Sequence, residues 1–564
     1  MHKDISELQK RVESREMSRR AFLRNAALLG VSMSFAQTLL AACAPPAPAA
    51  APTPLPTPEF TPPSQPSPEP QSLTIAFPSS PQSFDTHFWT GWRDLELCNL
   101  IFDTGIYRNP QGQVLNWAFT DWSTQDYYTW QFKVREGIEF TNGNPLRAEE
   151  VKFSFERMID PELNAPISAP RVMDLQHCDV VDEYTVNFEC GNQVAHSQIG
   201  WHLTEWPFMD PAHYEGLSAD EAGKSPMGTG PYIVEEFVKD ERYVFKPKPN
   251  YWNAEQLWGG AGSSGWDSYI WKIIPEASTR VAAVEAGEAD IAHLISLDVA
   301  RSLPGPEAVG EVHAVPALTD GRIFMYINQT YQDDSKLKDK RVRQALNHGV
   351  NWEQISQQLW LGQSRRLGSL LGPWSVHFHP ELEPYPYDPE KAKALMEEAG
   401  VPDGYPLKLW TSSSGDPEIP LTAQAIAADY QKLGFNAEVE TYPSQNLVRA
   451  SRAREVEADL MLWNFGGSAV EATAGLGQLR LDYWGNITGW ENAEFYELWD
   501  SLGTSEAMDP ERRKEIALRM QDIAHEEAVL VPLGVGIRAH VVGPRVKWTP
   551  RFDQFVYPWE VTLA

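Results

Sequence analysis

Between residues 337 and 355 the apolar positions Val342, Ala345, Leu346 and Gly349 recur at i, i+3, i+4 and i+7 behind Asp339. That spacing predicts a short helix with one buried face and an acidic N-cap. Asn351, with Gln354 three residues on, predicts a second cap of the capping-box type ahead of Ile355. Asp388 and Pro389 open another helix, with Ala392, Leu395, Met396 and Ala399 on one face and Gly400 as its stop. Residues 421–433 read as a helix closed by Gly434 and followed by a strand at 435–440. Thr279 is the expected cap of a helix at 280–286, with Gly287 as its end. Val151, Phe155 and Met158 mark an amphipathic helix at 148–158. Apolar or alternating runs at 71–77, 130–134, 232–234, 322–328, 459–463 and 528–533 read as strands. Strands alternating with helices imply α/β lobes with largely parallel sheets.

The chain has 564 residues, too many for one core, so two or three domains are expected. Its start does not belong to them. Ser18-Arg19-Arg20-Ala21-Phe22-Leu23 is a twin-arginine export motif, and the apolar run that follows ends in Leu40-Ala41-Ala42-Cys43. Residues 1–43 therefore read as a signal peptide rather than a spanning helix. Residues 44–70 are rich in proline and hold no core-forming pattern, which predicts an extended tether of about 3 Å per residue. Cleavage before Cys43 lowers the 47 Lys and Arg to 40 and the 77 Asp and Glu to 73, a formal charge of −33. Such an acidic body is a poor partner for nucleic acid or anionic lipid.

The run Asp339-x-Arg341-Val342-Arg343-Gln344-Ala345-Leu346-Asn347-x-x-Val350-Asn351 resembles a signature segment of the peptide/nickel class (family 5) of extracellular solute-binding proteins, the receptors of ABC importers. Five further blocks resemble the same family in the same order: residues 83–87, 132–157, 228–232, 250–252 and 282–291. Leu-Ala-Ala-Cys resembles a bacterial lipobox, which implies a diacylglycerol on Cys43. The resemblance implies a two-lobed periplasmic-binding-protein type II clamshell of α/β class with an additional subdomain, three domains in all. Lobe I is expected at 71–98, 210–322 and 532–564, the accessory domain at 99–209, and lobe III at 323–531. The implied function is a substrate-binding lipoprotein that captures a small polar solute, a peptide or peptide-like compound, by lobe closure and delivers it to a membrane permease. Its implied partners are that ligand, an ABC permease with its ATPase, and the membrane through Cys43. The protein is expected as a monomer at the outer face of the cell membrane or in the periplasm.

By position in the family, Phe77, Pro78, Tyr326, Asn328, Trp374, Trp463, Asn464, Phe465 and Gly466 are the expected ligand-binding residues. In oligopeptide-binding relatives the strand ending in Trp continues W-x-A-D-Y, and its Asp takes the ligand's α-amine. Here Trp463 is followed by Asn464, Phe465 and Gly466, so Gly466 stands in place of the acid. A buried amine needs a charged or polar acceptor, and Glu471 is the nearby residue that offers a substitute. A non-peptide solute such as an oligosaccharide is the alternative cargo.

Gly228-Thr229-Gly230 precedes Pro231 and a strand rather than a helix, so it does not read as a phosphate loop. His377-x-His379 has no third His or Cys nearby and reads as a surface loop, with no metal and no cofactor implied. The chain lacks G-x-S-x-G, H-E-x-x-H and Walker motifs, which leaves an acidic-pair hydrolase as the enzyme alternative to a binding protein. Cys178 and Cys190 flank a hairpin turn around Tyr184, and a turn centred there sets them opposite each other, where a disulfide is open to form.

Overall fold

The computed structural model describes residues 71–88, 92–110, 112–163, 175–258, 265–413, 416–465, 471–481 and 487–564. The expected signal peptide, tether and Cys43, as well as Gly466, lie outside the described residues.

The local signals are met where cap and face are both encoded within a few residues. Asp339 caps Lys340–His348 by accepting from the Arg341 N–H, and Val342, Ala345 and Leu346 are buried. Asn351 caps Trp352–Leu359 by accepting from the Gln354 N–H at 3.2 Å. The second half of that box is filled otherwise: the Asn351 N–H donates to Asp429 of another helix at 3.0 Å, while Gln354 Oε1 accepts from the Asn351 side chain. Asp388 caps Pro389–Glu398 as expected. Thr279 does not act as a cap, because the helix begins a turn earlier, at Ala277–Glu285. Glu418–Leu433 also starts earlier than the pattern suggested and ends at Gly434 with φ +108°, the left-handed geometry that only glycine adopts without strain.

Ten strands form one sheet in the order Asn436–Tyr442, Pro406–Ser412, Leu460–Phe465, His313–Ile327, Leu530–Val542, Ile291–Ile295, Ser72–Phe77, Ser268–Ile273, Arg242–Pro247 and Tyr232–Val238. The sheet is mixed rather than largely parallel. Pro406–Ser412 pairs in parallel with Asn436–Tyr442 through the crossover helix Glu418–Leu433, and Ser72–Phe77 pairs in parallel with both neighbours. The two long central strands are antiparallel to each other and to their outer neighbours. They carry the chain from one lobe to the other and back, and a direct return of that kind runs antiparallel.

One side of this sheet bears a single apolar cluster that runs through both lobes, from Ala76, Ala292 and Val541 to Ile323, Leu346, Ile426 and Leu460. On the other side the apolar residues fall into two separate clusters. One gathers Phe77, Trp271, Val315, Val542 and Phe555 of lobe I. The other gathers Phe324, Tyr326, Leu371, Met461 and Ile516 of lobe III. The alternation of Ile323, Met325 and Ile327 with Phe324 and Tyr326 along one strand feeds the two sides by turns.

The accessory domain has its own core under a four-stranded antiparallel sheet, with Leu175–Asp182 at one edge and the helix Ala148–Ile159 against it. Its helix is fastened to lobe I by Arg157, which holds both oxygens of the fully buried Asp85 at 3.0 and 2.6 Å. The glycines of Gly228-Thr229-Gly230 serve close approach: a Cβ on either would lie within 2.5 Å of the Ile101 backbone. No disulfide joins Cys178 and Cys190. Asp182 pairs with Thr185 across the turn and a register shift follows, so Cys178 faces Phe188 and Cys190 faces Leu175. The turn centre lies between Glu183 and Tyr184, and that displacement separates the thiols.

Candidate ligand-binding site at the lobe crossing

The sheet ladder is interrupted where the long strands pass between lobes. Leu318 pairs with Ile537 and Arg322 with Val535, so residues 319–321 stand against Gly536 alone. This is a bulge, a device that bends a strand and re-aims the side chains at it. Its geometry is stitched by Thr319, whose hydroxyl accepts from the Gly321 N–H at 3.1 Å and donates to the Gly536 carbonyl at 3.1 Å. The Asp320 N–H donates to the carbonyl of Phe552 at 3.0 Å, tying the bulge to the C-terminal segment of lobe I.

Charged groups collect at this crossing. Arg538, on the returning strand, forms an ion pair with Asp416 of lobe III and donates to Gln554 Oε1 at 3.2 Å. Asn464 donates to the other oxygen of Asp416 at 2.5 Å. Arg551 is buried between Asp553 and Glu560, at 2.8 and 2.7 Å. Arg322 lies under the loop at 370–372 and donates to the Leu370 carbonyl at 3.0 Å. Asp320 is in no ion pair with any described residue, and its Oδ2 is buried and accepts no hydrogen bond from them. Burial pushes its carboxyl up to about 6, against the pull of Arg108 and Arg322.

Contacts across the gap between lobes are aromatic and polar. The Trp374 ring of lobe III lies nearly parallel to Phe552 of lobe I, with centroids 5.9 Å apart and planes at 9°. The Arg108 guanidinium covers the same Phe552 ring at 5.2 Å. Ser197 of the accessory domain donates to Glu471 of lobe III at 3.5 Å, and Ser505 of lobe III donates to Gln193 at 3.0 Å.

The residues expected from sequence separate into three groups. Trp463 and Asn464 stand on the strand beside the crossing, paired with Phe324 and Ile323, and Trp374 stands at the lobe–lobe contact. Phe465 pairs with Arg322 in the ladder, while its side chain, like Gly466, lies outside what the structure describes. Tyr326 and Asn328 are inside lobe III. The Tyr326 hydroxyl donates to Gln478 at 3.0 Å, and the Asn328 amide donates to the carbonyls of Val456 and Ala458 at 3.1 and 3.0 Å. Phe77 is fully buried in lobe I, its ring 4.7 Å from that of Trp271 and 3.9 Å from the Arg93 guanidinium, with Pro78 half-buried after it. Glu471 is engaged within lobe III. It accepts from Arg513 at 3.2 Å, and from the N–H and hydroxyl of Thr473, so that Arg513 and Thr473 overcome the effect of burial and hold its carboxyl below the usual range.

Sequence reasoning missed Asp320, Asp416 and Arg538. The available signal for the first was Thr319-Asp320-Gly321-Arg322, a polar interruption at the head of an apolar strand. His379 pairs with Asp522 at 3.3 Å, and among the described residues no group of three His, Cys, Asp or Glu side chains could hold a metal. A water-sized cavity of about 10 Å³ between Gly368, Leu370, Leu479 and Leu530 belongs to the interior of lobe III rather than to the crossing.

The same architecture recurs in known proteins. The chain is 26% identical over 502 residues to di/tripeptide-binding protein 1 of Pseudomonas aeruginosa, covering 82% of this chain and 88% of that protein. It is 25% identical to heme-binding protein A of Haemophilus influenzae over 463 residues, 77% of this chain and 80% of that one. The crystal structure of a dipeptide binding protein from Pseudoalteromonas sp. SM9913 in complex with Met-Leu superposes with a TM-score of 0.69 at 22% identity, covering 88% of this chain and all of that one, which establishes the shared fold. The fold is thus the type II clamshell with a third domain that the sequence resemblance implied. Residues 113–486 match the family described as bacterial extracellular solute-binding proteins, family 5 middle, whose members bind solutes and are not enzymes. Two lobes on a paired-strand crossing and that match, which spans more than half of the sequence, give one conclusion: the chain belongs to the family 5 bacterial extracellular solute-binding proteins.

Proposed function

We propose that this protein is the substrate-binding lipoprotein of an ABC importer, capturing a small peptide or peptide-like solute by lobe closure and handing it to a membrane permease. The observation that carries the reading is the pair of long antiparallel strands joining two lobes whose facing contacts are aromatic and polar. Such contacts can part and re-form with little loss of buried apolar area, as hinge closure requires. The peptide-binding relatives support the choice of cargo. The domain limits proposed from sequence are lobe I at 71–98, 210–322 and 532–564, the accessory domain at 99–209 and lobe III at 323–531, although Leu100, Ile101, Phe102 and Trp117 pack in the lobe I cluster.

Export by the twin-arginine route, a lipid on Cys43, a tether at 44–70 and a monomeric body at the outer face of the membrane or in the periplasm complete the proposal. Replacing Cys43 by Ala should release the protein from the membrane fraction, and replacing Arg19 and Arg20 by Lys should stop export. Calorimetric titration with Met-Leu should show a single saturable site, and small-angle scattering should show compaction on binding. Neither heat nor compaction across a di- and tripeptide panel would overturn the peptide reading. Gly466, in place of the family's amine-binding acid, favours a second reading, a non-peptide solute, which native mass spectrometry of the purified protein would reveal as a retained mass.

A further inference from the structure

The crossing holds four carboxylates and treats one of them differently. Asp416 is paired with Arg538, and Asp553 and Glu560 share Arg551. Asp320 has no ion pair among the described residues, yet its Oδ2 is shielded from solvent. Asp320 as a whole is half-buried, and one oxygen shut away without a donor is a standing penalty that a fold keeps where the group is used. The backbone at Asp320 is also specially placed. It sits in the three-residue bulge opposite Gly536, with its N–H fixed to the Phe552 carbonyl, so its side chain is aimed by the hinge itself. Phe552, in turn, is the ring on which Trp374 of the opposite lobe stacks. A ligand group held by Asp320 therefore lies beside the contact that joins the lobes. A second buried acceptor, Asn464 Oδ1, borders the next residue, Gly321, and it too receives no hydrogen bond from the described residues.

We propose that Asp320 is a specificity-determining residue, whose carboxylate accepts the protonated amine of the bound solute at the strand crossing, in place of the acid that Gly466 replaces at the strand end. This rests on the reading of the protein as a receptor for small solutes. A charge-assisted hydrogen bond to a partly desolvated carboxylate discriminates between an amine and its acylated, neutral form. The groups that face Asp320 are Arg108 from the accessory domain, Arg322 and Arg538 from the long strands, and Asp553 from the C-terminal segment. Burial, opposed by Arg108 and Arg322, puts the carboxyl near 6, so amine binding should weaken as the pH falls through that value.

The test compares wild type, Asp320→Asn and Asp320→Glu, using Met-Leu and N-acetyl-Met-Leu as probes and native mass spectrometry for any solute retained on purification. Asp320→Asn should weaken Met-Leu about 10- to 100-fold, the range of a charge-assisted bond. It should also abolish the preference over the acetylated peptide and flatten the pH profile between 5 and 7, whereas Asp320→Glu should keep part of all three. Thermal unfolding of each variant separates loss of binding from loss of fold. If Met-Leu binds both wild type and Asp320→Asn equally, the inference fails and the peptide-receptor reading stands. If no peptide binds but a retained amine-bearing solute is lost from Asp320→Asn, the peptide reading fails and the inference stands. A retained solute without a cationic group, or no ligand of either kind, overturns the inference.

Discussion

The two sides of the ten-stranded sheet are built on different principles. On one side a single apolar cluster runs unbroken through both lobes, and the Leu297 N–H of a lobe I helix donates to Glu418 of a lobe III helix at 3.0 Å. On the other side each lobe has its own cluster, and the lobes meet through a stacked ring pair and a few polar contacts. Separating the first side would expose hydrocarbon at about 25 cal/mol per Å². Separating the second exchanges hydrogen bonds for water and loses one ring contact. A hinge follows from that inequality: the continuous side is the back of the joint, and the divided side is where the lobes part.

Substitutions on each side of the sheet test this inequality. The largest effect is expected at the buried Arg513–Glu471 pair on the divided side, where both side chains are 2% exposed. Arg513→Ala leaves a buried carboxylate unpaired and should cost about 3–5 kcal/mol in urea unfolding, most of it recovered when Glu471 is also replaced by Gln. A loss below 1 kcal/mol would mean that water already reaches this pair. On the continuous side, Leu346→Ala removes a fully buried side chain and should cost about 2–5 kcal/mol, with ligand affinity of the folded fraction unchanged. An altered affinity there would show that the back of the joint also moves.

Asp320→Asn should act in the opposite direction. The carboxyl is near 6 in the folded chain against 3.8 in the reference state, so the folded protein holds this proton more tightly and loses stability as pH rises from about 4 to 6. The neutral amide should therefore raise stability by about 1–2 kcal/mol at pH 7.5 and make no difference below pH 4, as read from melting curves across that range. Trp374→Ala removes the stack on Phe552, worth about 0.5–1.5 kcal/mol, and should shift scattering curves of the unliganded protein toward a more extended form. The smallest effect concerns the thiols. Burial raises the Cys178 thiol to about 12, and a buried thiol simply stays protonated. Dithiothreitol should leave Tm where it is, whereas a shift of several degrees would reveal a disulfide.

Much of this fold was legible in short stretches. The Asp339 and Asp388 caps and the Gly434 stop stand where the residues placed them, because each is a bond between neighbours in the chain. The long strand was legible only in part. Its apolar half, Arg322 to Ile327, was readable, but His313 to Gly321 was not, since Pro316 and Thr319-Asp320-Gly321 look like turn residues until Gly536 and Phe552 are brought against them. Among the candidate binding residues, Trp374, Trp463 and Asn464 reach the crossing, while Phe77, Tyr326 and Asn328 point into lobe interiors. Aromatic and amide side chains suit either environment, and nothing within a strand says which face its partner will cover.

By itself, then, the amino-acid order determined several helix caps and stops, the family, and the architecture that comes with it, because caps and periodic faces are interactions over three or four residues. The tertiary structure alone decided that Cys178 faces Phe188, that Glu471 is consumed by Arg513, and that Asp320 is left without an ion pair among the residues described. Each of those outcomes depends on strand register or on partners tens to hundreds of positions away, and burial and charge pairing are set only when those partners meet.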